Sequence, residues 1–208
     1  MFEKKYSAFS DEKLLEFIQE GNSAGRKAFD ELYERYSRRL LFYFHRMLGG
    51  QADKAQDFLQ DLFLKIVERP TLFNPALRFR TWIYAVAHNM CKNEYRRLEV
   101  CKIVEQTENL EALSSGNPNE AESLEHHLDR QKFYEALLRE LDKQDENHRA
   151  TFLLRHQDGF SIKEISEILG CSEGTTKSRL FYTTKKLAGQ LGAFHPTASE
   201  VLQNECPK

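Results

Sequence analysis

The chain of 208 residues reads as all-α, with two small helical domains joined by a flexible acidic linker. Three observations point there. Apolar residues recur at spacings of three and four through residues 8–97 and again through 126–191, and no stretch sustains the period-two alternation of a half-buried strand. Between these blocks "ALSSGNPNEAES", residues 112–123, gathers small and turn-forming residues without a hydrophobic period. Charge divides the same way: 17 basic and 13 acidic residues over 1–98, 1 and 7 over 99–125, and 11 and 10 over 126–191. Domains are therefore expected at 8–97 and 126–191, with a linker at 98–125 and a disordered tail at 192–208.

The first helix is marked by Leu14, Leu15 and Ile18, and the second by Phe29, Leu32, Tyr33, Tyr36, Leu40 and Leu41. The third carries Phe58, Leu62 and Ile66 inward and sets Asp57, Gln60 and Asp61 on its polar side. Breaks fall at Gly21–Gly25, Gly49–Gly50 and Pro70–Pro75, so four helices precede the linker. By period, the fourth buries Phe79, Trp82, Ile83, Val86 and Met90. Its opposite arc holds Thr81, Tyr84, His88, Cys91, Lys92 and Tyr95, a mixture of aromatic and hydrogen-bonding groups that suits unpaired bases.

In the second block, Ser161 is placed as an N-cap answered by Glu164, with Phe160 and Ile165 as the accompanying hydrophobic staple. Gly170 ends that helix and Ser172 can cap the next after about three residues, the geometry of a helix-turn-helix. Ile165, Ile168 and Leu169 are expected to face Thr176, Leu180, Thr184 and Leu187. At about 100° per residue the outer arc is then Gly174, Thr175, Ser178, Arg179, Phe181, Tyr182, Lys185 and Lys186, with Lys177 on its flank. Small hydroxyls near the helix start and cations further along suit a helix whose N-terminal end meets base edges while Lys and Arg meet phosphates.

Composition narrows the function classes. With 30 basic against 32 acidic residues the chain does not coat nucleic acid by bulk attraction, so any electrostatic footprint is local. Cys91, Cys101, Cys171 and Cys206 form no CxxC pair, no signal peptide is recognisable, and the longest apolar run falls far short of a membrane span. A soluble cytoplasmic protein with reduced thiols is expected. His88 and Cys91 lie one turn apart without two further ligands, and no catalytic triad, phosphate loop or carboxylate pair stands in a recognisable context. No cofactor, no metal, no small-molecule substrate and no enzymatic activity are expected.

Three stretches carry a family resemblance. "DKAQDFLQDLFLKIVERP" (53–70), with Asp57, Gln60, Asp61, Phe63 and Leu64, and "LFNPALRFRTWIYAVAHNMCKNEYRR" (72–97), with Phe79, Trp82, Ile83, Ala87, Asn89, Arg96 and Arg97, resemble the second conserved region of bacterial sigma factors of the extracytoplasmic-function (ECF) group. Residues 160–187, with "GTTKSRL", resemble their fourth region. Thr176 stands where valine is usual, which would loosen helix packing, and His88 where arginine is frequent.

The resemblance implies a two-domain initiation factor in the sigma-70 superfamily that binds core RNA polymerase and reads promoter DNA. It implies that Asp57, Gln60 and Asp61 meet the polymerase clamp helices. It implies that the loop holding Phe73 and Asn74 receives a flipped base of the minus-10 element, and that Arg80, Tyr84, His88, Asn89, Lys92 and Arg96 serve the same element. The helical wheel sets Asn89 nearer the buried side. Thr175, Lys177, Ser178, Arg179, Tyr182, Lys185 and Lys186 would read the minus-35 duplex. An anti-sigma factor is the expected regulator, and the acidic linker would thread polymerase channels that otherwise hold nucleic acid. The competing reading is a stand-alone helix-turn-helix regulator, in which the first block would have no role.

Overall fold

The computed structural model describes residues 6–21, 23–69, 73, 78–105 and 125–192, and the side chains of all of these except 101–105 and 125–131. Among the described residues the chain forms a short 3-10 turn and eight α-helices, with no strand. α1 (Asp11–Gln19), α2 (Ser23–Met47), α3 (Ala52–Glu68) and α4 (Phe79–Glu105) make the N-terminal domain. α5 (Glu125–Asp142), α6 (Glu146–His156), α7 (Ile162–Leu169) and α8 (Glu173–Gln190) make the C-terminal one. α4 continues through Glu105, beyond the domain end expected at 97, because nothing in 98–105 breaks a helix. Of the expected linker and tail, residues 106–124 and 193–208 lie outside the described residues.

α1 starts where expected, with the Ser10 hydroxyl accepting from the Lys13 amide at 3.3 Å and Asp11 and Glu12 in the first turn. α2 is the spine of this half: α1, α3 and α4 all pack on it. Leu14, Leu32, Leu40, Phe44, Leu62 and Ile83 are buried together at its centre. Tyr33, expected in that core, is instead 43 % exposed, since its place on α2 falls beside rather than beneath α3. The N-terminal segment is tied down by Arg35, which donates to the carbonyls of Phe9 (3.0 Å) and Ser7 (3.0 Å) and pairs with Asp11 at 2.7 Å. Glu12 reaches across to accept from the Phe79 amide at 3.0 Å, so a side chain of α1 satisfies a free donor at the start of α4.

The C-terminal half follows its local signals closely. Asp145 caps α6 by accepting from the amides of Asn147 and His148. The Ser161–Glu164 capping box is present in both directions, at 3.2 and 2.9 Å. Gly170 adopts φ 62°, a left-handed conformation open to glycine, and the amides of Gly170 and Cys171 both donate to the Ser166 carbonyl. Ser172 then caps α8 by accepting from Thr175 at 3.1 Å. Thr176 is fully buried, yet its hydroxyl donates to the Ser172 carbonyl at 3.2 Å, so it packs as a satisfied group and does not loosen the pair. Thr183, and not Thr184, takes the next inward position, with its hydroxyl on the Arg179 carbonyl at 2.7 Å. The buried stripe is centred on Thr176 and Leu187 and not on Leu180, which is half-buried, so Thr183 falls inside it and Thr184 outside.

The two domains are packed against each other. α4 lies against α7, and α2 against α6. The buried apolar cluster runs without interruption from Leu14 to Leu191. Arg46 of α2 donates to Asp142 (2.6 Å) and to the Leu138 carbonyl (3.0 Å), while Arg149 of α6 donates to the Arg46 carbonyl (3.2 Å) and the Tyr95 hydroxyl (3.3 Å).

Candidate nucleic-acid and polymerase interface

Three helical surfaces bring the expected site residues together. On α3, Asp57, Gln60 and Asp61 are all exposed on one side while Leu59, Leu62, Phe63 and Ile66 are buried on the other. Leu64, one helical turn beyond Gln60 and Asp61, is 53 % exposed and Val67 is 47 % exposed. The face is thus a short acidic and amide stretch continued by two aliphatic side chains, a composition that suits a protein partner better than DNA. Leu64 belongs to the quoted motif, although periodicity alone gives it no role on this face. Its signal was an apolar residue falling on the polar side of the wheel.

On α8, Thr175, Lys177, Ser178, Tyr182, Lys185 and Lys186 are exposed, as are Phe181 and Gly174. Arg179 is half-buried and its Nη1 reaches Cys171 Sγ at 3.6 Å, which holds the guanidinium toward the helix-turn-helix turn. Lys177 stands 4.0 Å from Glu173 in an exposed i,i+4 pair that contributes little. The cations of this arc are therefore available to an incoming polyanion.

α4 departs from expectation. Tyr84 and His88, set on the open arc by the periodic reading, are 1 % and 2 % exposed, and Thr81 and Cys91 are buried as well. The reason is that α4 is packed on two sides, by its own domain and by α7, so its period carries no single wet face. Asn89, expected near the buried side, is exposed, as is Arg96; Arg80 and Lys92 are half-buried. Phe73 is half-buried, with its ring 5.5 Å edge-on from Trp82 and 5.9 Å from Phe79 at the start of α4. Asn74 lies outside the described residues.

The polar groups buried on α4 are paired with unusual care. His88 Nδ1 meets the Tyr43 hydroxyl at 3.2 Å, and burial, with the charges of Lys92 and Arg179, holds the imidazole down to about 4. His88 is thus neutral at physiological pH. Tyr84 donates to Asp158 Oδ1 at 2.6 Å, and burial together with that carboxylate keeps the phenol far above its ordinary range. Burial likewise raises Asp158. Glu94, held by Arg97 at 2.7 Å and Lys54 at 2.5 Å, is lowered to about 2.

Two helical domains, one with an exposed acidic face and one with a helix-turn-helix whose outer arc is basic, are the architecture of a DNA-reading protein. Family models for sigma-70 region 2 and sigma-70 region 4 match residues 32–99 and 134–187. The chain belongs to the sigma-70 family, as an ECF-type factor that binds core RNA polymerase and directs promoter-specific transcription initiation. It is similar to the RNA polymerase sigma factor YlaC of Bacillus subtilis (strain 168), at 32 % identity over 147 residues, covering 71 % of this chain and 82 % of that one. It is 29 % identical over 177 residues to the ECF RNA polymerase sigma-E factor of Escherichia coli (strain K12), covering 83 % and 89 % of the two chains.

Solved structures share the fold. CnrH in complex with the cytosolic domain of CnrY superposes with a TM-score of 0.60 at 22 % identity, covering 88 % of this chain and 97 % of that one. The sigma factor RpoE in complex with the anti-sigma factor NepR from Bartonella quintana gives 0.59 at 21 %, covering 78 % and 97 %.

Proposed function

We propose that each of the three surfaces has a distinct task in initiation. The α3 face of Asp57, Gln60 and Asp61, extended by Leu64 and Val67, docks on core polymerase. The exposed arc of α8 enters the major groove of the minus-35 element, with Thr175, Ser178 and Arg179 nearest base edges and Lys177, Tyr182, Lys185 and Lys186 toward phosphates. Phe73, Asn74 and the α4 residues Arg80, Asn89, Lys92 and Arg96 receive the melted minus-10 strand, while Tyr84 and His88, buried in this arrangement, can join them only where the packing over α4 is released. Residues 8–97 and 126–191 act as the two reading domains and 98–125 as the tether between them. The factor works in the cytoplasm as a non-enzymatic adaptor and is restrained by an anti-sigma protein, a kind of partner with which the similar fold of the sigma factor RpoE is seen in complex. Among the described residues no helix is long and apolar enough to cross a membrane.

The observation that carries this reading is the order of the surfaces. The acidic face and the residues assigned on α4 fall inside the region 2 match, and the exposed basic arc of α8 inside the region 4 match. A stand-alone helix-turn-helix regulator would leave the first match without a purpose. The test is run-off transcription with core enzyme and a library of genomic fragments. Defined starts on a subset of fragments, absent with core alone, are expected; uniform or no transcription would refute the assignment.

A further inference from the structure

The cations on the outer arc of α8 are not held alike. Lys177, Lys185 and Lys186 are exposed, whereas Arg179 is half-buried. In a helix the Cα–Cβ bonds tilt toward the N-terminus, so a long side chain covers the turn before its own position. From Arg179 that lean leads back over Thr175 and Thr176 to the turn that precedes α8, where Nη1 donates to Cys171 Sγ at 3.6 Å. The sulfur is itself fixed. It lies 3.4 Å from the hydroxyl of Thr176, which is fully buried and donates to the Ser172 carbonyl at 3.2 Å. The Cys171 amide donates to the Ser166 carbonyl at 3.0 Å, so the backbone beneath the thiol is tied to α7.

The group that meets the guanidinium is a thiol and not a carboxylate. A carboxylate would grip it through two parallel charge-assisted bonds and neutralise it, whereas sulfur is a weak acceptor that yields to the stronger acceptors of a base edge. Cys171 thus aims Arg179 without competing for it. The N-terminal end of a recognition helix is where base edges are met, and a side chain already aimed there gives up less rotamer freedom on docking. We infer that Cys171 is a positioning residue for promoter reading, its sulfur setting the Arg179 guanidinium over the N-terminal end of α8 so that base choice at one minus-35 position depends on residue 171. The inference rests on the assignment of the α8 arc to the minus-35 duplex.

The test uses holoenzyme assembled from core polymerase and the full chain, with a promoter fragment recovered in the run-off experiment and randomised across its upstream element. Bound and unbound templates are sequenced to give a base preference at each position, and the melting temperature of each variant is measured alongside. Arg179→Ala marks the position in question by flattening its preference about fivefold or more. Cys171→Ala should flatten the same position about two- to tenfold, the cost of ordering one long side chain afresh, and leave the others unchanged. Cys171→Asp keeps the guanidinium on the protein and should flatten that position as Arg179→Ala does. Cys171→Ser retains an acceptor and should keep the preference.

That pattern, with no further loss when Cys171→Ala is added to Arg179→Ala, supports the inference. Wild-type preference at the marked position in Cys171→Ala overturns it. A loss spread evenly over all positions together with a lowered melting temperature also overturns it, and makes Cys171 a packing residue of the turn. A Cys171→Ser chain as flat as Cys171→Ala does the same to the role of the acceptor. Should Cys171→Ala melt below the assay temperature, the contrast between Cys171→Ser and Cys171→Asp decides, and equal preference in the two overturns the inference. Arg179→Ala without effect at any position removes Arg179 from base reading and the inference with it, a result distinct from a failure at Cys171 alone.

Discussion

Gly25 shows how a single missing side chain sets the approach of two helices. A Cβ built on it would lie 2.7 Å from the Phe17 carbonyl oxygen and 3.3 Å from Ile18 Cα, both backbone atoms of α1. Alanine is the better helix former by about 1 kcal/mol, but relieving that clash means moving a helix, and overpacking of this kind costs about 1–3 kcal/mol. Gly25→Ala should therefore lower the urea midpoint of unfolding despite its higher helix propensity; a raised midpoint would show that α1 yields freely. At this scale the sequence was readable wherever the cause was local. Ser161, Glu164, Gly170 and Ser172 act through neighbours within four residues, and all four stand as expected. Asn89 and Thr184 stand off their expected sides because one helix is packed on two sides and the buried stripe of the other is centred on Thr176 and Leu187, not on Leu180.

At the scale of elements, α3 and α8 present open surfaces whose disruption should leave the fold alone. Asp61→Lys reverses a charge on an exposed position and should abolish assembly with core polymerase while the circular dichroism and melting temperature stay those of the wild type. Retained wild-type affinity for core would remove α3 from the docking face. Arg179→Ala should weaken the closed promoter complex by about 1–3 kcal/mol if the guanidinium reads a base edge bidentately, and should spare strand opening. Phe73→Ala should do the reverse, impairing permanganate reactivity on a duplex template and recovering much of it on one with the minus-10 region mismatched open. Loss of only upstream protection in both variants would deny the first domain any base reading. Both open faces could be seen in the residue pattern. The covered face of α4 could not, because the helix that covers it comes from the other end of the chain.

For the whole molecule, the buried and paired ionisable groups set how stability follows pH. His88 titrates at about 4 when folded against an ordinary 6.5, through burial first and then the nearby Lys92 and Arg179 charges. The folded form resists its protonation, so the stability it represents is complete above pH 6.5 and is lost as pH falls from there to about 4. The size is up to about 3 kcal/mol. Glu94, lowered by Arg97 and Lys54 from 4.5 to about 2, and Glu12, lowered by the Phe79 amide, act in the same sense at lower pH: their contribution is present above about 4.5 and falls away beneath it. Asp158 and Glu146, raised chiefly by burial, work in the opposite direction. Because His88 is buried and titrates across this window, the melting temperature should fall between pH 6.5 and 4, and His88→Gln should flatten that part of the curve. A wild-type profile that is already flat there would mean that His88 is protonated without cost.

The reach of Glu12 across to the Phe79 amide bears on where this protein can be cut. The segment shared with sigma-70 region 2 starts at residue 32, which invites trimming everything before it. Such a chain would lose the acceptor that closes the first turn of α4, and Arg35 would lose its partners in Ser7, Phe9 and Asp11. The damage would surface at the far end of that contact, in the helix proposed to meet the melted strand, so the thirty-odd leading residues are a brace for a part of the molecule they precede by half a domain.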